Sequence, residues 1–441
     1  MTMNSSIKIF SYLLLSSLFL LAMSQSRAAM TIEITQGVSG ALPIAVVPFG
    51  MAPNMVLDQD VSGIVQADLI RSGRFKSVDE SDFITRPHKG SEVNFRDWRL
   101  LDVPYLLIGK VSSREEGNFD IQFELFDVFK SERLEGRLLS NISQDDLRGA
   151  AHQISDLVYE VLTGVKGAFS TRIMYVVAEP KPGSNSRYSL QVSDVDGYGS
   201  QEILGFSEPI MSPSWSPGGE WIAYVSYENN GHPAIFVHNI WTKQRRMVSG
   251  QIGINGAPAW SPDGKRLALT LSKGTNPDIY ILDLASDVIQ RITKNYAIDT
   301  EPSWAPDGNS IVFTSDRGGT PHIYQYNLAD RQIKRVTFEG RYNARASFSP
   351  DGKLLTFIHR SNKNSNVAVM EISTGAVRVL SDGLEDESPS FSPNGSMIIY
   401  ATEDRYRGVL AVVSVDGSVK QRLAVQEGDI REPAWAPFKK R

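Results

Sequence analysis

Pro433-Ala434-Trp435-Ala436-Pro437, a few residues before the end of the 441-residue chain, reads as the opening of a repeat. The same phrase begins Pro213-Ser214-Trp215-Ser216-Pro217, Pro258-Ala259-Trp260-Ser261-Pro262 and Pro302-Ser303-Trp304-Ala305-Pro306. It returns with phenylalanine in Ala346-Ser347-Phe348-Ser349-Pro350 and Pro389-Ser390-Phe391-Ser392-Pro393. The aromatic falls at 215, 260, 304, 348, 391 and 435, so the copies are 45, 44, 44, 43 and 44 residues apart. A period in the forties with several short strands in each predicts the blades of a β-propeller.

A tight turn follows the aromatic, as in Ser261-Pro262-Asp263-Gly264, Ala305-Pro306-Asp307-Gly308 and Ser349-Pro350-Asp351-Gly352. Proline presets φ, aspartate bonds its own backbone, and glycine takes the left-handed conformation. Gly218-Gly219 and Asn394-Gly395 keep that chemistry in the other two copies. Strands follow at 221–226, 266–272, 310–315, 354–360 and 397–403, apolar on both faces as a sheet between neighbouring blades requires. Residues 172–178, 188–194 and 202–205 match the second, third and fourth strands of a repeat that lacks its first. The orphan strand at 433–437 supplies it, giving six blades in a ring closed by the C-terminal strand. An open solenoid would leave both fragments unpaired.

The front of the chain reads differently. Residues 1–28 carry Lys8, an apolar run at 9–23 and Ser26-Arg27-Ala28, the pattern of a cleaved secretory signal. The run is short for a membrane span, which makes an uncleaved anchor the weaker reading. The chain has no cysteine, hence no disulfide framework and no thiolate chemistry. Loss of Lys8 and Arg27 takes the net charge from −5 to −7 with no basic tract, which argues against nucleic acid or anionic lipid as partners. No later stretch is long and apolar enough to insert in a membrane.

Residues 37–168 predict an α/β domain with a mixed sheet and two main helices. An apolar run lies at 41–49, Val61, Ile64, Val65 and Leu69 fall at helical spacing, and strands are expected at 75–78, 104–112, 119–129 and 133–142. Ser143 is read as the cap of a second helix whose stripe is Leu147, Ala150, Ile154, Leu157, Val158, Val161 and Leu162, ended by Gly164 and Gly167. The propeller then takes 169–441. Residues 29–36 stand apart, either an integral edge strand or a peptide free to pair with another protein.

Residues just ahead of each repeat motif join one blade to the next and should ring one mouth of the central channel. They are Met211-Ser212, Asn255-Gly256-Ala257, Asp299-Thr300-Glu301, Asn343-Ala344-Arg345, Glu385-Asp386-Glu387 and Ile430-Arg431-Glu432. No residue type repeats among them, so blade structure does not dictate them, and variable positions on a rigid scaffold are where binding resides. Asp299, Glu301, Asp386, Glu387 and Glu432 cluster acid, but no spacing imitates a calcium loop and no metal or other cofactor is expected. The histidines (His88, His152, His232, His238, His322 and His359) have no ligand spacing and read as solvated or packing residues.

The mature chain resembles the TolB family of the Tol-Pal envelope system. The resemblance is carried by Pro43-Ile44-Ala45-Val46-Val47-Pro48-Phe49, Tyr105-Leu106-Leu107-Ile108-Gly109, Thr171-Arg172-Ile173-Met174-Tyr175-Val176 and the repeats. It implies a monomeric, non-enzymatic periplasmic adaptor supporting outer-membrane invagination at division and envelope integrity. It further implies that the propeller binds the outer-membrane lipoprotein Pal at the channel mouth, with Asn255, Gly256, Ala257, Thr300 and Glu301 the first positions to carry over. The N-terminal segment, Met30, Thr31, Ile32, Glu33 and Ile34, would contact inner-membrane TolA. A propeller-containing hydrolase would need a nucleophile elbow such as Gly-x-Ser-x-Gly, which is missing. A glycan-binding propeller would want exposed aromatics in the mouth loops, which read as charged and small.

Overall fold

The computed structural model of the chain describes residues 40–114, 117–180, 186–273, 276–361, 363–423 and 428–439. The expected signal and the segment 29–36 lie outside them. The first domain is a five-stranded sheet built from β1 (Leu42–Val46), β2 (Phe75–Ser77), β3 (Tyr105–Ser113), β4 (Phe119–Asp127) and β5 (Glu132–Ile142). Its order is β2-β1-β3-β4-β5, with β1 parallel to both neighbours and β3, β4 and β5 antiparallel. The apolar run through β1 is continuous because both faces are covered. Ile44 and Val46 pack with α1 (Val61–Arg71) and α3 (Leu147–Thr163), while Ala45 and Val47 pack on the other side with Trp98.

Trp98 belongs to α2 (Phe95–Leu100), a helix that the sequence reading missed. Six residues are too few to display a helical period, and the element is fixed by burying one indole. The expected cap of α3 is also corrected. Ser143 accepts from the Asp146 N–H at 3.2 Å, one turn early, and the helix begins at Leu147. Val161, assigned to the apolar stripe, is 39% exposed. Gly164 ends α3 at φ 71°, a left-handed position that glycine takes at no cost.

Six four-stranded sheets follow. Blade I combines Arg172–Glu179, Arg187–Asp194 and Gln201–Phe206 with the late strand Asp429–Trp435, which pairs Ile430 with Val177 and Trp435 with Ile173. Blades II to VI span 210–249, 255–291, 299–335, 342–379 and 387–422, with inner strands Ile210–Trp215, Asn255–Trp260, Asp299–Trp304, Tyr342–Phe348 and Glu387–Phe391. The ring is therefore tied by the C-terminal strand.

The recurring aromatic has a mechanical reason. Trp215 Nε1 donates to the Ala434 carbonyl at 3.1 Å, Trp260 Nε1 to Ser214 at 3.3 Å and Trp304 Nε1 to Ala259 at 3.2 Å. Each indole thus staples its blade to the inner strand of the blade before. Trp435 reaches the Thr171 hydroxyl at 2.9 Å, where the propeller begins. Phe348 and Phe391 fill the same volume without that bond. The turns behave as their residues require: Asp263 accepts from Lys265 N–H at 3.0 Å, and Gly264 and Gly308 both sit at φ 71°.

The α/β domain packs on the turn side of the ring, against blades I and VI. Asn394 Nδ2 donates to the Lys166 carbonyl at 2.9 Å, and Gln421 Nε2 to the Arg71 carbonyl at 2.7 Å. The residues ahead of the motifs lie at the other end of the inner strands, leaving that mouth uncovered by the α/β domain.

Candidate functional site

Every inner strand loses register just before its aromatic, for example between Gly256 and Ala259 and between Thr300 and Ser303. One residue at each break takes a left-handed backbone: Ser212 (φ 49°), Ala257 (45°), Glu301 (55°), Arg345 (55°), Ser388 (53°) and Glu432 (55°). None is glycine, although each side chain there costs roughly 1 kcal/mol of backbone strain. Residue type varies while conformation repeats. These six positions line the central channel, in a cavity of 730 Å³ that runs on toward the aromatic ends of the strands.

Arg345 organises the ring. Its guanidinium reaches Glu301 of the neighbouring blade at 3.2 Å and Glu432, two blades away, at 2.9 Å, and also bonds the Ser388 hydroxyl. Glu432 in turn accepts from the Ser212 N–H at 3.0 Å. Glu301 accepts from the Thr314 hydroxyl at 2.8 Å. Burial alone would lower the Arg345 pKa, but Glu432, then Glu301 and Glu387, outweigh it and raise it above the usual range. Burial pushes the Glu387 carboxyl up, with Arg345 only partly offsetting. The channel is thus crossed by an ion-paired clasp.

The expected mouth residues divide into two sets. Ala257, Glu301, Arg345 and Glu432 are the channel ring itself, with Gly256, Thr300, Glu387 and Arg431 half-buried or exposed beside it. Asn255, Asp299, Asn343, Ala344 and Asp386 are buried, so any effect of the four polar ones on a partner passes through the loops they hold. Asn255 Nδ2 donates to the Gln251 carbonyl at 2.7 Å, and Asn343 Nδ2 to the Glu339 carbonyl at 2.7 Å. Asp299 accepts two bonds from Arg317, at 2.9 and 2.8 Å. Met30, Thr31, Ile32, Glu33 and Ile34 lie outside the described residues. Ser388, which completes the ring with Ser212, was missed because the acidic run drew attention to Glu385-Asp386-Glu387, one residue short of the motif that opens at Pro389.

Beyond the ring the mouth is edged by exposed apolar side chains. Ile252 is 95% exposed, Tyr296 86% and Phe338 72%, with Leu384 also exposed, each on a loop leading into an inner strand. Tyr406 stands on a hairpin turn at the same end. The expectation that these loops offer only charge and small residues is therefore incorrect. The aromatics sit a few residues upstream of the positions read from the motif.

Residues 30–134 match the family model of the TolB amino-terminal domain, and residues 159–439 match that of the TolB beta propeller domain. The chain belongs to the TolB family. The Tol-Pal system protein TolB of Alcanivorax borkumensis is 51% identical over 416 residues, covering 94% of this chain and 95% of that protein. TolB of Nitrosococcus oceani is 49% identical over 413 residues, covering 93% and 94%. The crystal structure of TolB from Acinetobacter baumannii superposes with a TM-score of 0.85 at 39% identity, covering 93% of this chain and all of that one. This places the chain among propeller components of the Tol-Pal system rather than among enzymes. Among the described residues no helix is long and apolar enough to cross a membrane.

Proposed function

We propose that the chain is a periplasmic adaptor of the Tol-Pal system that binds the lipoprotein Pal at the uncovered propeller mouth and TolA through residues 30–34. In this reading residues 1–28 are removed near Ala28, residues 29–36 form the TolA-binding segment, 37–168 the α/β domain and 169–441 the propeller. The two contacts together support inward movement of the outer membrane at division. The observation that carries the Pal contact is the coincidence, on one face, of a strained ring of side chains with the apolar loops around it. Aliphatic Ile252 and Leu384 flank Tyr296 and Phe338 in blade order there, which suits a protein surface better than a sugar face.

The test is a calorimetric titration of the mature chain with purified Pal. Tyr296 and Phe338 have the character of interface hot spots, so Tyr296→Ala with Phe338→Ala should weaken binding by about 30-fold or more, corresponding to 2 kcal/mol. Thr300→Arg, which crowds the ring, should do the same. Thermal midpoints should stay near wild type for the loop variants, since both side chains are largely exposed and the contact of Phe338 with the Arg335 guanidinium, 5.2 Å from its ring centroid, lies at the surface. Binding undiminished in all variants would move the contact off this face.

A further inference from the structure

The junction between the two domains holds a group of side chains that partner binding does not use. His152, on α3, is 2% exposed. Its Nδ1 lies 2.6 Å from an Asp68 oxygen, and Asp68 is itself fixed by the Ser155 hydroxyl at 2.7 Å. A carboxylate on Nδ1 sets the tautomer and turns the Nε2 lone pair outward, the arrangement that orients metal-binding imidazoles. That Nε2 is buried and makes no hydrogen bond. It borders a polar cavity of 480 Å³ at the domain junction, lined also by Asp58, Asp145 and Asp146.

Across the junction blade I presents Asp194 and Asp196. Asp194 Oδ2, the oxygen to which Arg148 Nε donates, is 3.8 Å from His152 Nε2, too long for a hydrogen bond. Two ligand atoms that share a tetrahedral ion at about 2.0–2.1 Å lie roughly 3.4 Å apart, so the His152–Asp194 pair must close by roughly 0.4 Å. Ligand atoms of His152, Asp194 and Asp196 all fall within 4.8 Å of one another. Arg148 bonds one oxygen of each aspartate, at 3.2 Å to Asp194, and the Tyr198 N–H takes another of Asp196 at 3.0 Å. Asp68, Asp194 and Asp196 face Arg71 and Arg148, which leaves a negative excess when the imidazole is neutral.

We propose that His152, Asp194 and Asp196 form a binding site for one divalent ion of the Zn²⁺ class, which joins the α/β domain to the propeller. One nitrogen and two carboxylate ligands suit such an ion, and the adjoining cavity gives water access to the remaining coordination position. Because the ligands come from both domains, the ion acts as a staple between them.

The experiment uses the mature chain stripped with EDTA and titrated with Zn²⁺ by calorimetry, with melting curves run in parallel. One ion per chain is expected, with a rise in melting midpoint on adding Zn²⁺. Asp194→Asn should weaken uptake at least tenfold and His152→Gln should abolish it, each removing the Zn²⁺-dependent rise. If His152→Gln fails to fold, the Asp194 variant decides, since that side chain is partly exposed. Absence of saturable one-to-one uptake would mean that only a proton occupies Nε2, and it would overturn the proposal. Uptake unchanged in the variants would do so equally.

Discussion

Removal of residues 428–441 should abolish cooperative unfolding of the propeller and cost more than about 5 kcal/mol, the scale of a whole domain's stability. The deleted strand supplies the inner position of blade I, where Asp429, Ile430, Arg431, Ala434 and Trp435 pair with Ala178, Val177, Val176, Met174 and Ile173. It buries Ile430 among residues of blades I and VI and offers the Ala434 carbonyl that Trp215 of blade II uses. Without it, blade I is left with an exposed inner edge and the ring is open between two blades. Scanning calorimetry of the truncated chain should show a broad transition at lower temperature, with aggregation. A single sharp transition near the full-length midpoint would mean that the ring is held by other contacts.

The second large effect is expected at Arg345. Arg345→Ala should destabilise the protein by about 3 kcal/mol, the lower end for breaking a buried ion pair, because the guanidinium is 26% exposed. Glu301, Glu387 and Glu432 would then converge on the channel without their common cation. The loss should shrink between pH 7 and pH 5. Burial already raises the Glu387 pKa, so its neutral form is favoured in the folded state. A group with a raised folded pKa favours folding at low pH and loses that contribution as pH rises through the folded value. Losing Arg345 raises it further and moves the penalty toward neutral pH. Arg345→Lys should recover only part of the stability, since an ammonium cannot bridge both carboxylates as a planar fork does. Denaturant melts of the three proteins at two pH values measure this.

Much of the fold was legible because the repeat encodes its own mechanics. An indole that staples blades, a proline–aspartate–glycine turn and a strand buried on both faces leave marks at fixed spacing. The unmatched strand then required ring closure. The site was legible only in outline. Position along the repeat located the mouth, but burial could not be read from it, and Asn255, Asp299 and Asn343 proved to hold loops from within. The left-handed ring was hidden because its conformation repeats without its residue type. Arg345 bridging to Glu432 joins residues 87 apart in sequence, a pairing that only blade order determines. His152 and Asp194 meet for the same reason, being brought together by the packing of two domains.

Docking of Pal on the uncovered mouth is tested most directly by amide hydrogen exchange with and without Pal. Slowed exchange is expected at 251–257, 295–301, 337–345 and 383–388, with the proline–aspartate–glycine turns on the opposite face unchanged. Protection confined to those turns or to the outer strands of the blades would contradict it.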